Sequence, residues 1–398
     1  MRRCEIHRLH TVTYENGMKL QEKLVEMRQR EEIDDQLLLL EHPPVITLGR
    51  GGDETNLLAT PPELASHGVR FYETTRGGDI TYHGPGQIVG YPILHLGEGN
   101  RDVRKYVTAI EEVLIRTVAE YGITAQRVDG RRGIWVGNDK IAAIGVRIAR
   151  WVTSHGWALN VSTNLDHFKL ITPCGLQGTG VTSIERETGR RVAIDDVRDV
   201  LAAHFADIFG RALVPRPETM RLVKVLVHDG DRVLLLHRKP ERGNFWQPLT
   251  GTIDAAESPL ETATREIVEE TGQRGEPRPL DLVQSFMIES QYLTSKGYVA
   301  PIIASEICFE TRLDSRLPVK VDPLEHDAWG WFTFAEAYER IQWTDDREAF
   351  EQLQRLLQSP LLVAGSPLLA GPGAEALASP EPATGQPQAA SNQQPASE

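Results

Sequence analysis

Cysteine is scarce in this chain: three residues in 398, Cys4, Cys174 and Cys308, far apart from one another. That number and spacing exclude a disulfide framework and a cysteine-based zinc site, and point to a reducing compartment. Nowhere do the roughly 18 consecutive apolar residues of a membrane-spanning helix occur. The basic start, residues 1–10, has no apolar run behind it, so no signal peptide is expected. No internal repeat is present, and the glycine spacing over residues 76–87 does not fit a dinucleotide fingerprint. Positive charge is also in deficit, with 43 Lys+Arg against 56 Asp+Glu and a net charge of −13. Residues 1–217 hold 27 basic and 28 acidic side chains, a net of −1, so the remaining −12 lies in the second part. Such an acidic half repels nucleic acid. The expectation is a cytoplasmic protein with neither membrane nor nucleic acid as partner. Arg101, Arg104 and Lys105, or Arg127, Arg131 and Arg132, are the clusters able to offer an acidic protein a basic patch.

What is present divides in two, as a length of 398 residues suggests. Leu37 to Leu40 and Val45 to Gly49, around Pro43-Pro44, read as buried strands. Val103, Tyr106, Val107, Ile110, Val113, Leu114 and Val118 are spaced for a helix over 102–121 that stops at Gly122. A hairpin is expected around Gly137-Asn138-Asp139, a strand over 157–161 and a helix over 194–209. Val214, Pro215 and Pro217 mark a linker over 214–220, followed by a hairpin turning at Asp229-Gly230. The last helices fall at 334–341 and 346–357. Beyond Gly365 the chain is Ala, Pro, Gln, Ser, Gly and Glu without an aromatic, a composition expected to be disordered.

Three segments in the first half carry chemistry. Residues 76–87 contain Arg76-Gly77-Gly78-Asp79-Ile80-Thr81-Tyr82-His83, where paired glycines let backbone approach a ligand and side chains surround it. Lys140 follows the hairpin turn and leads into Ile141, Ala142, Ala143, Ile144 and Gly145. Cys174 sits between Pro173 and Gly175, in a turn, whereas Cys308 lies in an apolar run typical of a core cysteine. Together with Gly156, Trp157 and Ala158, these segments resemble the lipoyl(octanoyl) transferase family in order and approximate spacing. The resemblance spans residues 1–213 and implies an α/β fold like that of biotin and lipoate protein ligases. It implies octanoyl transfer from acyl carrier protein, through a Cys174 thioester, to a lysine of lipoyl domains of 2-oxoacid dehydrogenases and of the glycine cleavage H protein. Arg76 to His83, Ala143, Ile144, Gly145, Gly156, Trp157 and Ala158 then line the acyl and pantetheine pocket, and no cofactor is required.

Cys174 must act as a thiolate, although a free cysteine titrates near 8.5. Either Lys140 is a cation that stabilises the thiolate, or a desolvated neutral Lys140 removes the thiol proton itself. The two would titrate as a pair. The rival reading is an ATP-dependent lipoate or biotin ligase, which needs no nucleophile at position 174; a carrier-binding scaffold is the other.

In the second half, Ser258, Pro259 and Glu261 form a helix start and Gly272 a stop. Glu266, Glu269 and Glu270 share one face of that helix, where like charges oppose folding by about 0.2–0.5 kcal/mol per pair. A hard divalent cation resolves the repulsion. Residues 251–273 are similar to the Nudix box at every fixed position but the last, where Gln273 replaces an aliphatic residue. The resemblance implies an α/β/α sandwich over 221–360, Mg²⁺ on Glu266, Glu269 and Glu270, Arg265 holding a glutamate, and pyrophosphohydrolysis of a nucleotide-like small molecule. Residues 244–248 and 324–331 look like dATP or dihydroneopterin triphosphate pyrophosphatases, which adds Glu325 as a ligand and Phe245 and Trp246 as stacking aromatics. The alternative is a regulatory Nudix domain that binds without hydrolysis. The whole chain reads as a two-domain α+β/α/β protein with a disordered tail over 365–398.

Overall fold

A computed structural model of the chain describes residues 2–97, 101–172, 179–215, 220–254, 256–288 and 302–358. Cys174, most of the expected linker and the tail over 365–398 lie outside the described residues.

The first half begins with β1 (Arg2–Thr11), α1 (Tyr14–Gln29), β2 (Asp35–Glu41) and β3 (Val45–Leu48). Residues 37–40 are an uninterrupted leucine run, and all four are fully buried. This is the pattern of a strand covered on both faces. Next come α2 (Pro61–Ser66), β4 (Arg70–Glu73), β5 (Ile80–His83), β6 (Gln87–Ile93) and α3 (Val103–Ala119). Asp102 caps α3 by accepting from the Arg104 and Lys105 amides, and its apolar stripe packs with α5. The meander β7 (Gln126–Val128), β8 (Arg131–Val136), β9 (Asp139–Ala149) and β10 (Val152–Asn160) follows, then β11 (Gly180–Val181), α4 (Ile184–Thr188), α5 (Ile194–Phe209) and β12 (Arg211–Pro215). Val214 and Pro215, read from sequence as linker, instead complete β12, which pairs in parallel with β1.

The second half runs β13 (Met220–His228), β14 (Arg232–Arg238), β15 (Trp246–Gln247), β16 (Leu249–Thr252), α6 (Pro259–Thr271), β17 (Arg278–Ile288), β18 (Ile302–Arg312), β19 (His326–Thr333), α7 (Phe334–Arg340) and α8 (Thr344–Gln358). Alternate residues of β13 divide the packing. Val223, Val225 and Val227 meet Ala263 and Ile267 of α6, whereas Leu226 joins Phe350 and Leu353 of α8 on the opposite face.

Residues 1–358 form one compact unit. A single sheet crosses both halves in the order β15-β14-β13-β18-β17-β1-β2-β6-β10-β9-β8-β7, with β4-β3-β5 separate. The seam is β1 on β17, parallel, at Thr11 opposite Gln284. Met287 and Ile303 pack against the cluster of Leu9, Val12, Leu20 and Leu38, and Arg70 pairs with Glu351 at 2.9 Å. Sequence gave no hint of this seam. Among the described residues no helix is long and apolar enough to cross a membrane.

Candidate active sites

Strands β5, β6, β9 and β10 and the start of α1 enclose a cavity of about 390 Å³. Its lining includes Arg76, Gly78, Asp79, Ile80, Thr81, His83, Lys140, Ala143, Ile144, Gly145, Gly156, Trp157 and Ala158, all expected from sequence. Two expected residues fall outside that lining. Strand alternation turns Tyr82 away from Thr81 and His83 into a separate core, where its hydroxyl meets His167 Nδ1 at 2.8 Å. Gly77 contributes backbone: its amide donates to Val146 O at 3.1 Å, and its own carbonyl lies where a Cβ on Gly145 would come within 2.8 Å. Gly78, with φ of 91°, occupies the left-handed region that glycine tolerates.

The guanidinium of Arg76 is buried and held by Thr47, donating from Nη2 to the carbonyl at 2.6 Å and to Oγ1 at 2.9 Å. Asp79 accepts from Asn56 Nδ2 at 2.8 Å. These bonds fix the glycine loop to β3 and to the turn before α2. Behind the loop a polar chain runs from His83 to Gln87 Oε1 (2.8 Å), from Gln87 Nε2 to Asn160 Oδ1 (2.9 Å), and from Asn160 Nδ2 to Thr182 O (2.9 Å). Thr182 N in turn donates to Lys140 O at 3.0 Å.

Lys140 is nine-tenths buried, and its ammonium stands 4.8 Å from the centre of the Trp135 ring, a cation–π contact. Val181 pairs with Lys140 and Gly180 with Asp139, so β11, six residues after position 174 in the sequence, lies beside the lysine strand. Thr172 N donates to Asn56 O at 2.7 Å.

The cavity also holds Tyr14, Tyr91 and His155, which sequence reasoning did not single out, and Arg131 and Arg132 of the second expected basic cluster, at the β7–β8 turn. Burial, then the neighbouring His42, pushes His83 down to about 3. Burial, then Arg76, does the same to His155, and burial takes His42 to about 4. All three are therefore neutral at physiological pH. His155 has φ of 54°, a strained conformation for a non-glycine residue, and its amide donates to Gln21 Oε1 at 2.6 Å. Of the two basic clusters, Arg127 is committed to Glu111 and Glu112, leaving Arg131 and Arg132 facing the cavity.

A second, larger space of about 1530 Å³ opens in the second half, lined by Glu266, Glu269, Glu270 and Glu325 among others. The expected capping box is present: Ser258 Oγ accepts from Glu261 N, and Glu261 accepts from Ser258 N at 2.8 Å. Arg265 grips Glu257 with Nε and Nη2 at 2.8 and 2.9 Å, and its Nη1 reaches Glu266 Oε1 and Glu269 Oε2, each at 2.9 Å. The guanidinium beside it holds Glu257 down at about 2.

Burial drives Glu266 up to about 7, against the pull of Arg265. Glu270 Oε2 is buried without a hydrogen-bond partner among the described residues and lies 3.2 Å from His326 Nδ1. Both features suit a hard divalent cation, which would relieve the buried charge and occupy the orphaned oxygen. Among the described residues no three such side chains converge closely enough to hold an ion, and Arg265 engages Glu266 and Glu269. Glu325 is paired with Arg238 at 2.6 Å. Phe245 lines the cleft and meets Trp343 edge-on at 5.9 Å. Trp246 instead packs into the core against Phe332. At the floor Lys224, fully buried, contacts Asp346 at 2.7 Å and Glu306 at 2.8 Å. Burial works against its charge, but the Asp346, Glu306 and Asp345 carboxylates outweigh it and raise its pKa.

Comparison with known proteins agrees with this division. Residues 13–206 match the lipoyl protein ligase A/B catalytic domain, and residues 218–353 the NUDIX domain. An octanoyltransferase of Myxococcus xanthus is 42% identical over 362 residues, covering 88% of this chain and 99% of that protein. An octanoyltransferase of Solibacter usitatus is 50% identical over 215 residues, covering 54% of this chain and 97% of that one. The first alignment is too long for either half alone. By that near-complete match the chain belongs to the octanoyltransferases, and it is an acyltransferase whose carboxyl-terminal half is a Nudix domain.

Proposed function

We propose that the chain moves an octanoyl group from acyl carrier protein to a lysine of lipoyl domains, those of 2-oxoacid dehydrogenases and the glycine cleavage H protein. The Cys174 thiolate attacks the carrier thioester, the pantetheine thiolate leaves, and the octanoyl group rests on Cys174. The target lysine amine then attacks that thioester, an amide forms, and the Cys174 thiolate is released. Lys140 serves as the basic partner, taking a proton from the thiol or from the attacking amine. Val89, Ala143, Ile144, Trp157 and Ala158 give the acyl chain apolar walls, a gain of about 0.8 kcal/mol per methylene at most. Arg131 and Arg132 suit the acidic carrier. The observation that carries this reading is Lys140, buried at the cavity wall on the strand that β11 joins just after the Cys174 segment.

The test is intact mass of the full chain mixed with octanoyl carrier protein and no ATP. Wild type should gain one octanoyl group and Cys174→Ser none. An ATP requirement, or an adduct that survives in Cys174→Ser, overturns the reading.

The Nudix half we assign to cytoplasmic, Mg²⁺-dependent cleavage of a diphosphate bond in a nucleoside triphosphate-like molecule. Glu266, Glu269 and Glu270, with Glu325, would hold the ion, which supplies charge to polarise a phosphoryl oxygen. Arg265 orients Glu257, Glu266 and Glu269, and Phe245 offers a face to a planar ring. Magnesium-dependent release of pyrophosphate or monophosphate, lost in Glu270→Gln, is the expected result. Inactivity toward every triphosphate and ADP-sugar would favour a domain that only binds.

A further inference from the structure

Helix α1 belongs in sequence to the transferase half, yet it walls both chambers. Tyr14 lines the acyl cavity, whereas Asn16 and Lys19, on the same turns, line the Nudix cleft. The attachment is specific. Asn16 Nδ2 donates to Asp345 Oδ1 at 3.2 Å, and Thr13, the N-cap of α1, shares a 3.1 Å hydrogen bond with Thr344 at the start of α8.

The charges of the cleft set Lys19 and Lys320 apart from its other cations. Six cations line it: Lys19, Lys224, Arg238, Arg242, Arg265 and Lys320. Lys224 is spent on Glu306 and Asp346, Arg238 and Arg242 face Glu325, and Arg265 grips three glutamates. Lys19 and Lys320, both exposed, have no ion pair among the described residues, and of the two only Lys19 comes from the transferase half. A phosphate-bearing ligand entering this acidic cleft gains charge-assisted bonds chiefly from cations not already neutralised.

We propose that the Nudix cleft is composite: Lys19 binds an anionic group of its nucleotide ligand, Asn16 positions Asp345 against that ligand, and substrate choice therefore depends on the transferase half. The proposal rests on the phosphohydrolase reading above.

The test uses the full chain with MgCl₂ and each common ribo- and deoxyribonucleoside triphosphate, for wild type, Lys19→Ala, Lys19→Arg, Asn16→Ala and Glu270→Gln. Lys19→Ala should raise KM about tenfold with kcat little changed, and Lys19→Arg should restore most of it. Asn16→Ala should reorder kcat/KM among the triphosphates, a change that simple destabilisation would not produce; melting curves confirm that each variant is folded. If hydrolysis is lost in Glu270→Gln yet Lys19→Ala and Asn16→Ala match wild type in KM and substrate order, the composite cleft is refuted while the phosphohydrolase stands. If no triphosphate is cleaved, or Glu270→Gln cleaves as well as wild type, the phosphohydrolase reading fails and this proposal with it.

Discussion

The two chambers solve opposite problems. The first cavity is small, with Val89, Ile144, Trp157 and Ala158 among its walls, His83, Gln87 and Asn160 joined by hydrogen bonds, and its histidines neutral. The Nudix cleft is about four times larger and acidic, with ten carboxylates and six cations in its lining. On the proposed functions, the first would hold an uncharged chain by burial beside a single reactive pair. The second would receive a polyanion, for which charge is kept exposed or only partly neutralised. The same sheet underlies both, but the first is lined chiefly from strands β5, β6, β9 and β10, whereas Glu266, Glu269 and Glu270 of the second come from α6.

Substitutions can break that contrast selectively. Lys140→Gln should have the largest effect, lowering octanoyl transfer by about 10²–10⁴-fold while triphosphate hydrolysis stays at the wild-type rate. Glu270→Gln should do the reverse; loss of a carboxylate to the ion exceeds the roughly 10–100-fold assigned to outer-shell partners. Both are read from parallel assays on the same preparation, and a variant that lowers both activities together would erase the contrast. Lys224→Met leaves Glu306 and Asp346 buried without their cation, so urea denaturation should show a loss of about 3–5 kcal/mol.

Acid sharpens the comparison further. The three neutral histidines by the acyl cavity have folded values near 3 and 4, below the ordinary 6.5. The unfolded chain thus binds more protons between those values, and stability is full above about pH 6.5 and lost as pH falls toward 4 and 3. Melting should reflect on the order of 1 kcal/mol per pH unit for each histidine; a flat profile from pH 7 to 5 would contradict their burial as neutral rings. Smallest of all, Trp135→Leu removes the ring beneath Lys140 and should slow transfer by a few-fold, consistent with a cation–π contact of about 0.5–2 kcal/mol.

Much of this was legible in the residues. The capping box, the helix stop at Gly272 and the apolar stripe of α3 are local signals, and local signals survive folding. Arg76, Gly78 and Lys140 share one cavity wall as their motifs suggest, and intervals of three and four residues put Glu266, Glu269 and Glu270 on one face of α6. Tyr82 was misplaced for a simple reason: a contiguous motif on a strand puts alternate residues on opposite faces. Tyr14, Tyr91 and the Lys224 cluster were invisible, since each is brought to its site by elements far apart in sequence. Lys224 sits inside the apolar run of β13, where nothing nearby announces Glu306 or Asp346.

The continuity of β1 with β17 bears on any attempt to produce either activity alone. Severing the chain between Pro215 and Met220 would strip the packing from Met287 and Ile303 and bare the rim of β17, a template for strand addition by a neighbouring molecule. A truncated fragment should therefore precipitate unless that rim is first blunted with a charged residue.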